Sequence, residues 1–577
     1  MKNSLKKRGQ KLAKKFSRVS ERARIEGKEH IKENLIARIS HIENIKLLIF
    51  EWCLLAVALI MLATAQAFWF GDSYAQTAFV DGGTYTEATI GQVDSMNPLF
   101  ATTDSEKVLS KLMFATLIAD DYSGHPGMGL AKSLTPSEDG KVWTLKLKDN
   151  LKWSDGEALT NEDVMFTLDL IQNPVVSTVY SANLSGVKIN ENESGEIVFT
   201  LPSAYADFIA MLDIPIVPKH ELEDSSPKTL IEDDFSVSPV ASGPFILNAT
   251  QTNSEEESVI YLSPNPNYYQ EKPMLSGFAI HTYEDKEAVE KALKTSAVTA
   301  TAELNNKDVE DLNLSNFITK EAGINWGVFA FFNTSNQKLK NKELRQAIRQ
   351  GINTSAVRDA AKSTMALNYP IMESQIALSK YPALPEFNHD AAVAKIAEIT
   401  GGETLQINVT TVDSGYLPEA AEVIAEELRG LGIASQVIVY SENQDFITNV
   451  LSPRHYDILV YEIELDVDPD PLPYYHSSQA SASGLNLSNY RNALVDDLLV
   501  GARETLDTDL RSRKYETFLE HWVEDVPAIG LFQANLVYLY NKNVRTFGES
   551  VKLAAPLDRF SDITNWAVAR GTKNKTP

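Results

Sequence analysis

The sequence predicts an α/β body preceded by one transmembrane helix. Three observations carry that expectation. Strand-like and helix-like patterns alternate from Gly82 to the end of the 577-residue chain. A 24-residue run, Leu47–Phe70, is apolar apart from Glu51. The composition, 44% hydrophobic and 23% charged, is that of a folded protein and excludes global disorder. At about 150 residues per domain, the length predicts three or four domain-sized units. A single cysteine, Cys53, excludes an intrachain disulfide framework and any CxxC metal or redox site.

The charge is unevenly placed. The net value of −25 argues against a nucleic-acid-binding body. Residues 1–46 nevertheless hold 14 Lys/Arg against 5 Asp/Glu, leaving 39 basic and 73 acidic residues beyond them. Residues 1–46 read as a basic helical arm, since Ile31, Leu35, Ile39 and Ile42 recur at spacings of three and four. Such an arm suits a juxtamembrane helix on anionic lipid; a docking helix for a cytoplasmic partner is the alternative. Residues 47–70 follow as the anchor. At 1.5 Å per residue they reach about 36 Å, enough for a hydrocarbon core of about 30 Å. Trp52 and Trp69 lie near the ends, where indoles favour the interface, and the basic flank places residues 1–46 in the cytoplasm. Ala63-Thr64-Ala65 and Ala65-Gln66-Ala67 fit a cleavage pattern, but 46 preceding residues are too many for an ordinary signal peptide. An uncleaved single-pass anchor with an extracellular body is expected.

In the body, Thr84–Ile90 and Lys141–Leu147 alternate polar and apolar residues as half-buried strands do. Asn161–Ile171 reads as a helix with Thr160 at the N-cap and Asp163 three positions on. Asn341–Gln350 and Leu417–Leu431 read as amphipathic helices, and Gly432–Tyr440 and Tyr456–Tyr461 as strands. Together the segments after residue 404 give a βαβ-type signal. Ser225–Pro239 and Asp466–Ser483 read as long loops.

A search for catalytic motifs returns none. There is no GxSxG, HExxH or GxxxxGK[ST], and no two of the nine histidines stand at i,i+4. Asp466-Val467-Asp468-Pro469-Asp470 begins like a calcium loop, but Pro471 and Ser477 occupy the positions that require Gly and Glu. No metal and no cofactor are expected.

Five segments in order carry a resemblance. Asp139–Ile171 (DGKVWTLKLKDNLKWSDGEALTNEDVMFTLDLI) is the most specific, with Asp139-Gly140, Lys152-Trp153, Asp155-Gly156, Leu159-Thr160 and Asp163-Val164 in register. The others are Gly82–Phe100, Ala241–Leu247 (ASGPFIL), Asn265–Pro273 (NPNYYQEKP) and Phe331–Asn353. From about residue 82 to 545 the chain resembles the family-5 solute-binding proteins of ABC importers, the group that contains the dipeptide and oligopeptide receptors. Departures exist: Ser296-Ala297-Val298-Thr299 stands where the family has SGEVD, and the apolar span replaces the usual lipid anchor.

The resemblance implies a two-lobed periplasmic-binding-protein-like fold (type II, cluster C) with an inserted subdomain. Lobe I would be 79–329 plus 530–577, the inserted subdomain about 119–239, and lobe II 330–529. Hinge crossings would fall near Ala330–Asn333 and Val526–Leu531. It implies a peptide ligand, bound as an added strand between closing lobes, and partners in permease and ATPase subunits; the body is expected to be monomeric. A loop aspartate of lobe II would hold the ligand's α-ammonium, with Asp466 the first candidate and Asp468 the second. The plainer reading of these acids is as solvated turn caps. Asn97 in the NP loop, and Trp326, Phe329 and Asn333 on the strand entering the hinge, are further candidates, although aromatics there are more often core. Tyr461 and Glu462 stand where a Trp usually precedes the loop. Alternatives are an oligosaccharide, nickel or haem on the same fold, an ectohydrolase with dispersed carboxylates, or a sensor relaying occupancy to the arm.

Overall fold

The computed structural model describes residues 46–120, 125–253, 257–363, 365–441 and 443–574. The arm over residues 1–45 lies outside them. The chain divides into two compact units, Met1–Ala78 with Gly571–Pro577, and Phe79–Arg570. In the first, helix α1 covers Lys46–Tyr74, 29 residues. Side chains are described only for 50–66, and all are exposed. Among the described residues no helix is long and apolar enough to cross a membrane.

The second unit opens with β1 (Thr84–Ile90). Helix α2 (Asp104–Met113) starts from a capping box in which Thr103 and Glu106 satisfy each other's backbone N–H. Burial works to raise the Glu106 carboxyl. Hydrogen bonds from the backbone N–H of Thr102, Thr103, Ser95 and Asp94 outweigh it and hold the group below the usual carboxylate range. One side chain thereby ties the loop after β1 to the start of α2. Strands β2 (Ala131–Pro136), β3 (Val142–Leu147), β4 (Lys188–Glu191) and β5 (Ile197–Thr200) form a separate antiparallel sheet in the order β2-β3-β5-β4. Helix α3 (Asn161–Gln172) packs beside it and has the capping box expected from Thr160 and Asp163.

A ten-stranded sheet organises the rest. Its further strands in chain order are β6 (Phe245–Thr252), β7 (Ser258–Pro264), β8 (Gly277–Tyr283), β9 (Ala300–Thr301), β10 (Phe317–Phe332), β11 (Val409–Val412), β12 (Val437–Tyr440), β13 (Ile458–Glu464) and β14 (Ala528–Asn541). Across the sheet the order is β12-β11-β13-β10-β14-β9-β1-β8-β7-β6. Helix α4 (Asn306–Leu312) follows β9, α5 (Lys342–Gly351) follows β10, and α6 (Leu417–Gly430) joins the parallel pair β11 and β12.

The long antiparallel strands β10 and β14 enter two different cores. Ile324 on β10 and Ala534, Leu536 and Tyr538 on β14 pack with the core of β1 and α2. Val328–Phe332 and Ala528, Ile529, Leu531 and Phe532 pack with the core of α5, α6 and β13. Between them the β10–β14 register breaks from Gly323 to Gly327. Asn325 sits in this break. Its N–H donates to Ala554 O (2.8 Å), its carbonyl accepts from Leu465 N–H (2.7 Å), and its Nδ2 donates to Asp466 O (2.9 Å). Beside it, β14 is crossed closely by another segment: a Cβ on Gly530 would lie 2.5 Å from Leu367 O.

One departure from the sequence pattern lies on β1. A carboxylate is rarely buried unless paired, yet Glu87, on the same face of β1 as buried Tyr85 and Thr89, is fully buried. Arg559, nearly fully buried itself, donates from Nη2 to Glu87 Oε1 (2.7 Å), and the Tyr538 hydroxyl donates to Oε2 (2.5 Å). Tyr85 closes the network through a short contact to Tyr538. Removing one member of a buried ion pair strands the other charge, typically at about 3–5 kcal/mol. Arg559→Met is therefore expected to lower the unfolding free energy by roughly that amount, measured by urea unfolding followed by tryptophan fluorescence. A change below about 1 kcal/mol would show the pair to be unimportant.

Candidate ligand-binding cleft

A cleft of about 630 Å³ lies over the point where β10 and β14 pass between the cores, within the roughly 300–1,000 Å³ of ligand sites. Its floor is Ile324 and Trp326 on β10 with Asn535–Val537 on β14. One wall comes from the first turns of α2, the 302–308 segment and Ala555–Arg559. The other comes from Ala360–Lys362, the start of α6, and Glu462 and Glu464 at the end of β13. Strand ends and helix starts are where open α/β sheets carry ligand sites.

Two exposed ion pairs join the walls, Lys307 to Glu419 (3.8 Å) and Lys362 to Glu310. Each such pair is worth at most about 1 kcal/mol. The other cations lining the cleft also face carboxylates. Lys107 pairs with Asp104 (3.4 Å), Lys286 with Asp308 (2.9 Å) and Arg559 with Glu87 (2.7 Å). Glu303 and Glu464 take part in none of the ion pairs among the described residues. Burial, then the charge of Asp104, pushes the Glu303 carboxyl up to about 7. Glu464 opens into the cleft with protein on both sides. Burial and the charge of Asp466 raise its carboxyl, and Lys107 opposes them. The Trp326 indole stands across from Glu464 in the β10–β13 register. Its N–H is near enough to favour the carboxylate yet misses hydrogen-bond geometry. Tyr416, at the start of α6, makes a short hydrogen bond from its hydroxyl to Glu462.

Of the residues singled out in the sequence, Trp326 lines the cleft. Asp466 lies two residues beyond Glu464 in the left-handed backbone region, φ 59°. Its carbonyl accepts from Asn325 Nδ2 (2.9 Å) and Gln375 Nε2 (3.1 Å), and its Oδ1 from Val467 N–H (2.7 Å). Asp468 accepts two hydrogen bonds from Arg511 (2.5 and 2.8 Å), and Asp470 binds Arg503. Buried Asp207, from the segment after β5, faces all three loop acids. Burial and then the charges of Asp468, Asp466 and Asp470 raise its carboxyl well above the usual range, with Arg511 opposing.

Three other candidates stand apart from the cleft. Asn97 is fully buried and accepts from Leu99 N–H. Phe329 is fully buried in the second core. Asn333 donates from Nδ2 to Arg454 O (3.0 Å) and Tyr456 O (3.1 Å). Sequence reasoning missed Glu303, Tyr416 and Glu464. Two acids at i,i+2 before the loop, Glu462 and Glu464, were a legible sign of one wet strand face; Glu303 has no local signature. Away from the cleft, exposed Asp155, His220 and Glu221 bring one possible metal-ligand atom each within 4.8 Å of one another.

Residues 125–485 match the bacterial extracellular solute-binding proteins, family 5, middle region. The chain belongs to that family. It is a solute-binding protein, not an enzyme. It is similar to the oligopeptide-binding protein AppA of Bacillus subtilis, 24% identical over 488 residues covering 79% of this chain and 87% of the relative. The structure of AppA with a nonapeptide superposes with a TM-score of 0.67 at 22% identity, covering 85% of this chain and all of AppA. The ABC transporter substrate-binding protein CtaP of Listeria monocytogenes superposes at 0.74 with 23% identity and the same coverage. NikZ of Campylobacter jejuni, solved with Ni(L-His), superposes at 0.68 with 22% identity over 84% of this chain and 99% of NikZ.

The loop acids generate a pH-dependent expectation. Arg511→Leu leaves Asp468 buried without its cation, so its already raised carboxyl rises further. A carboxyl with a raised folded pKa destabilises the fold when ionised and ceases to do so as it protonates. The stability lost in this variant is therefore expected to be largest near pH 8 and to shrink toward pH 5. Urea midpoints across that range check it, and a loss independent of pH would contradict the pairing.

Proposed function

We propose that this chain is a membrane-anchored, outward-facing receptor that captures peptides between two lobes and delivers them to the permease of an ABC importer. Cytoplasmic ATPase subunits would drive transport. The observation that carries the reading is the cleft with walls from two cores and a floor of shared strands. Ligand contacts to both walls favour a closed arrangement over an open one. A peptide laid along strand ends gains main-chain hydrogen bonds irrespective of its sequence. Ala330–Asn333 and residues 526–531 lie with the second core. The division of the cores therefore supports a hinge at Asn325–Gly327 on β10 and about Gln533 on β14.

Asp466 is the proposed partner of the peptide's α-ammonium. It is the first acid of the loop that the family resemblance points to, and the side-chain amides of Asn325 and Gln375 fix its backbone. Anchoring by Leu47–Phe70 is supported by α1. Phe50, Trp52, Leu54, Leu59 and Leu62 are each more than half exposed, a density that water-soluble surfaces avoid. The basic residues before it would keep the N-terminus cytoplasmic and the body extracellular. Among the described residues lining the cleft there is no histidine, cysteine or methionine. A bare nickel ion would thus meet only oxygen ligands, which favours a peptide.

Mass spectrometry of ligands released from the full chain purified in detergent is expected to find peptides; oligosaccharide or metal complex alone would overturn the reading. In calorimetric titrations, Asp466→Asn is expected to weaken free-amino peptides roughly tenfold or more. It should leave N-acetylated peptides, already weak on the parent protein, unchanged. Equal losses for both peptides would exclude an ammonium at Asp466.

A further inference from the structure

The charges of the cleft are unequally matched. Among the described residues, all five cations that line it face carboxylates within ion-pair distance, and Arg559 is held by Glu87 inside the wall. An acidic ligand side chain would find each of these cations already neutralised. Glu303 on one wall and Glu464 on the other belong to no ion pair among the described residues, and both are partly withdrawn from bulk water. A desolvated carboxylate without a counter-charge is unfavourable. The Asp104 and Glu87 charges, from α2 and β1, add to that cost at Glu303; the Arg559 charge and a hydrogen bond from the Ile90 backbone N–H offset it in part. A ligand group that brings positive charge relieves both walls at once.

We propose that the cleft selects peptides bearing a basic side chain, whose ammonium or guanidinium group lies against Glu303 with Glu464 on the facing wall. This specificity rests on the peptide-receptor reading above and adds a second cation site to the one at Asp466. A charge-assisted hydrogen bond in a partly desolvated site gives preference as well as register. It also couples binding to protons. Because burial and Asp104 push Glu303 up to about 7, the free protein holds part of a proton there at neutral pH. A ligand cation favours the ionised form and expels it. The affinity for basic peptides is thus expected to fall as pH drops from 8 to 6, while that for neutral peptides stays level.

Isothermal titration of the full chain in detergent at pH 7 tests this with Ala-Lys-Ala, Ala-norleucine-Ala and Ala-Glu-Ala, each in phosphate and in Tris. Ala-Lys-Ala is expected to bind roughly tenfold or more tighter than the norleucine peptide. Its heat should differ between the buffers because a fraction of a proton is released, and the norleucine peptide's heat should not. Glu303→Gln is expected to abolish both the preference and the buffer dependence. Equal affinities of the lysine and norleucine peptides on the parent protein, or equal lysine-peptide heats in both buffers, would overturn the inference, whether or not the variant folds. Failure of all three peptides to bind would instead overturn the peptide reading, and this inference with it.

Discussion

Two continuous strands leave one hydrophobic core and enter another, and this constraint shapes everything around them. Every buried N–H and C=O along β10 and β14 needs a partner. The passage between the cores therefore stays hydrogen-bonded sheet on both sides of a short irregularity, rather than becoming a loose linker. The irregularity falls at Gly323–Gly327, where Asn325 binds backbone from segments on either side. The cleft floor is made of the same residues. Any change in the angle between the cores is transmitted to Trp326 and the neighbouring walls without passing through a flexible segment.

The walls carry the chemistry. Strand ends and helix starts supply main-chain groups that can serve many peptides, and the side chains above them set preference. Most of the charge in the cleft is internally neutralised, partly by weak pairs that bridge the walls. The carboxylates at Glu303 and Glu464 are the exception, and they are raised because burial and neighbouring acids act in the same direction. The aspartate loop solves the same problem differently, by setting Arg511 and Arg503 against its second and third acids.

Much of the frame was legible in the sequence. Thr160 and Asp163 form the capping box that their spacing announced. The alternation of Thr84–Ile90 and Lys141–Leu147 became strands, and the segments read over Leu417–Leu431, Gly432–Tyr440 and Tyr456–Tyr461 became α6, β12 and β13. The site was less legible because its determinants are non-local. Glu87 shares a strand face with Tyr85, and no local pattern announces the partner it needs there, Arg559, 472 residues away. The pairing of Asp468 with Arg511, 43 residues away, likewise has no local signature. Phe329 shares β10 with Trp326 but lies beyond the register break in the second core, and Asn333, just past the strand's end, holds the backbone of Arg454 and Tyr456, while Trp326 stays on the cleft floor. Glu303 becomes distinctive only through Asp104 and the loss of water around it.

The central claim is that two cores move relative to each other and close on a peptide. Electron–electron double resonance between spin labels at Lys291 and Glu426, exposed positions beside the first-core and second-core strands, measures it directly in a Cys53→Ala background. A two-lobed receptor predicts a broad distance distribution without ligand that narrows and shifts on saturation with peptide. A single narrow distance, unchanged when bound peptide is verified by calorimetry, would contradict it.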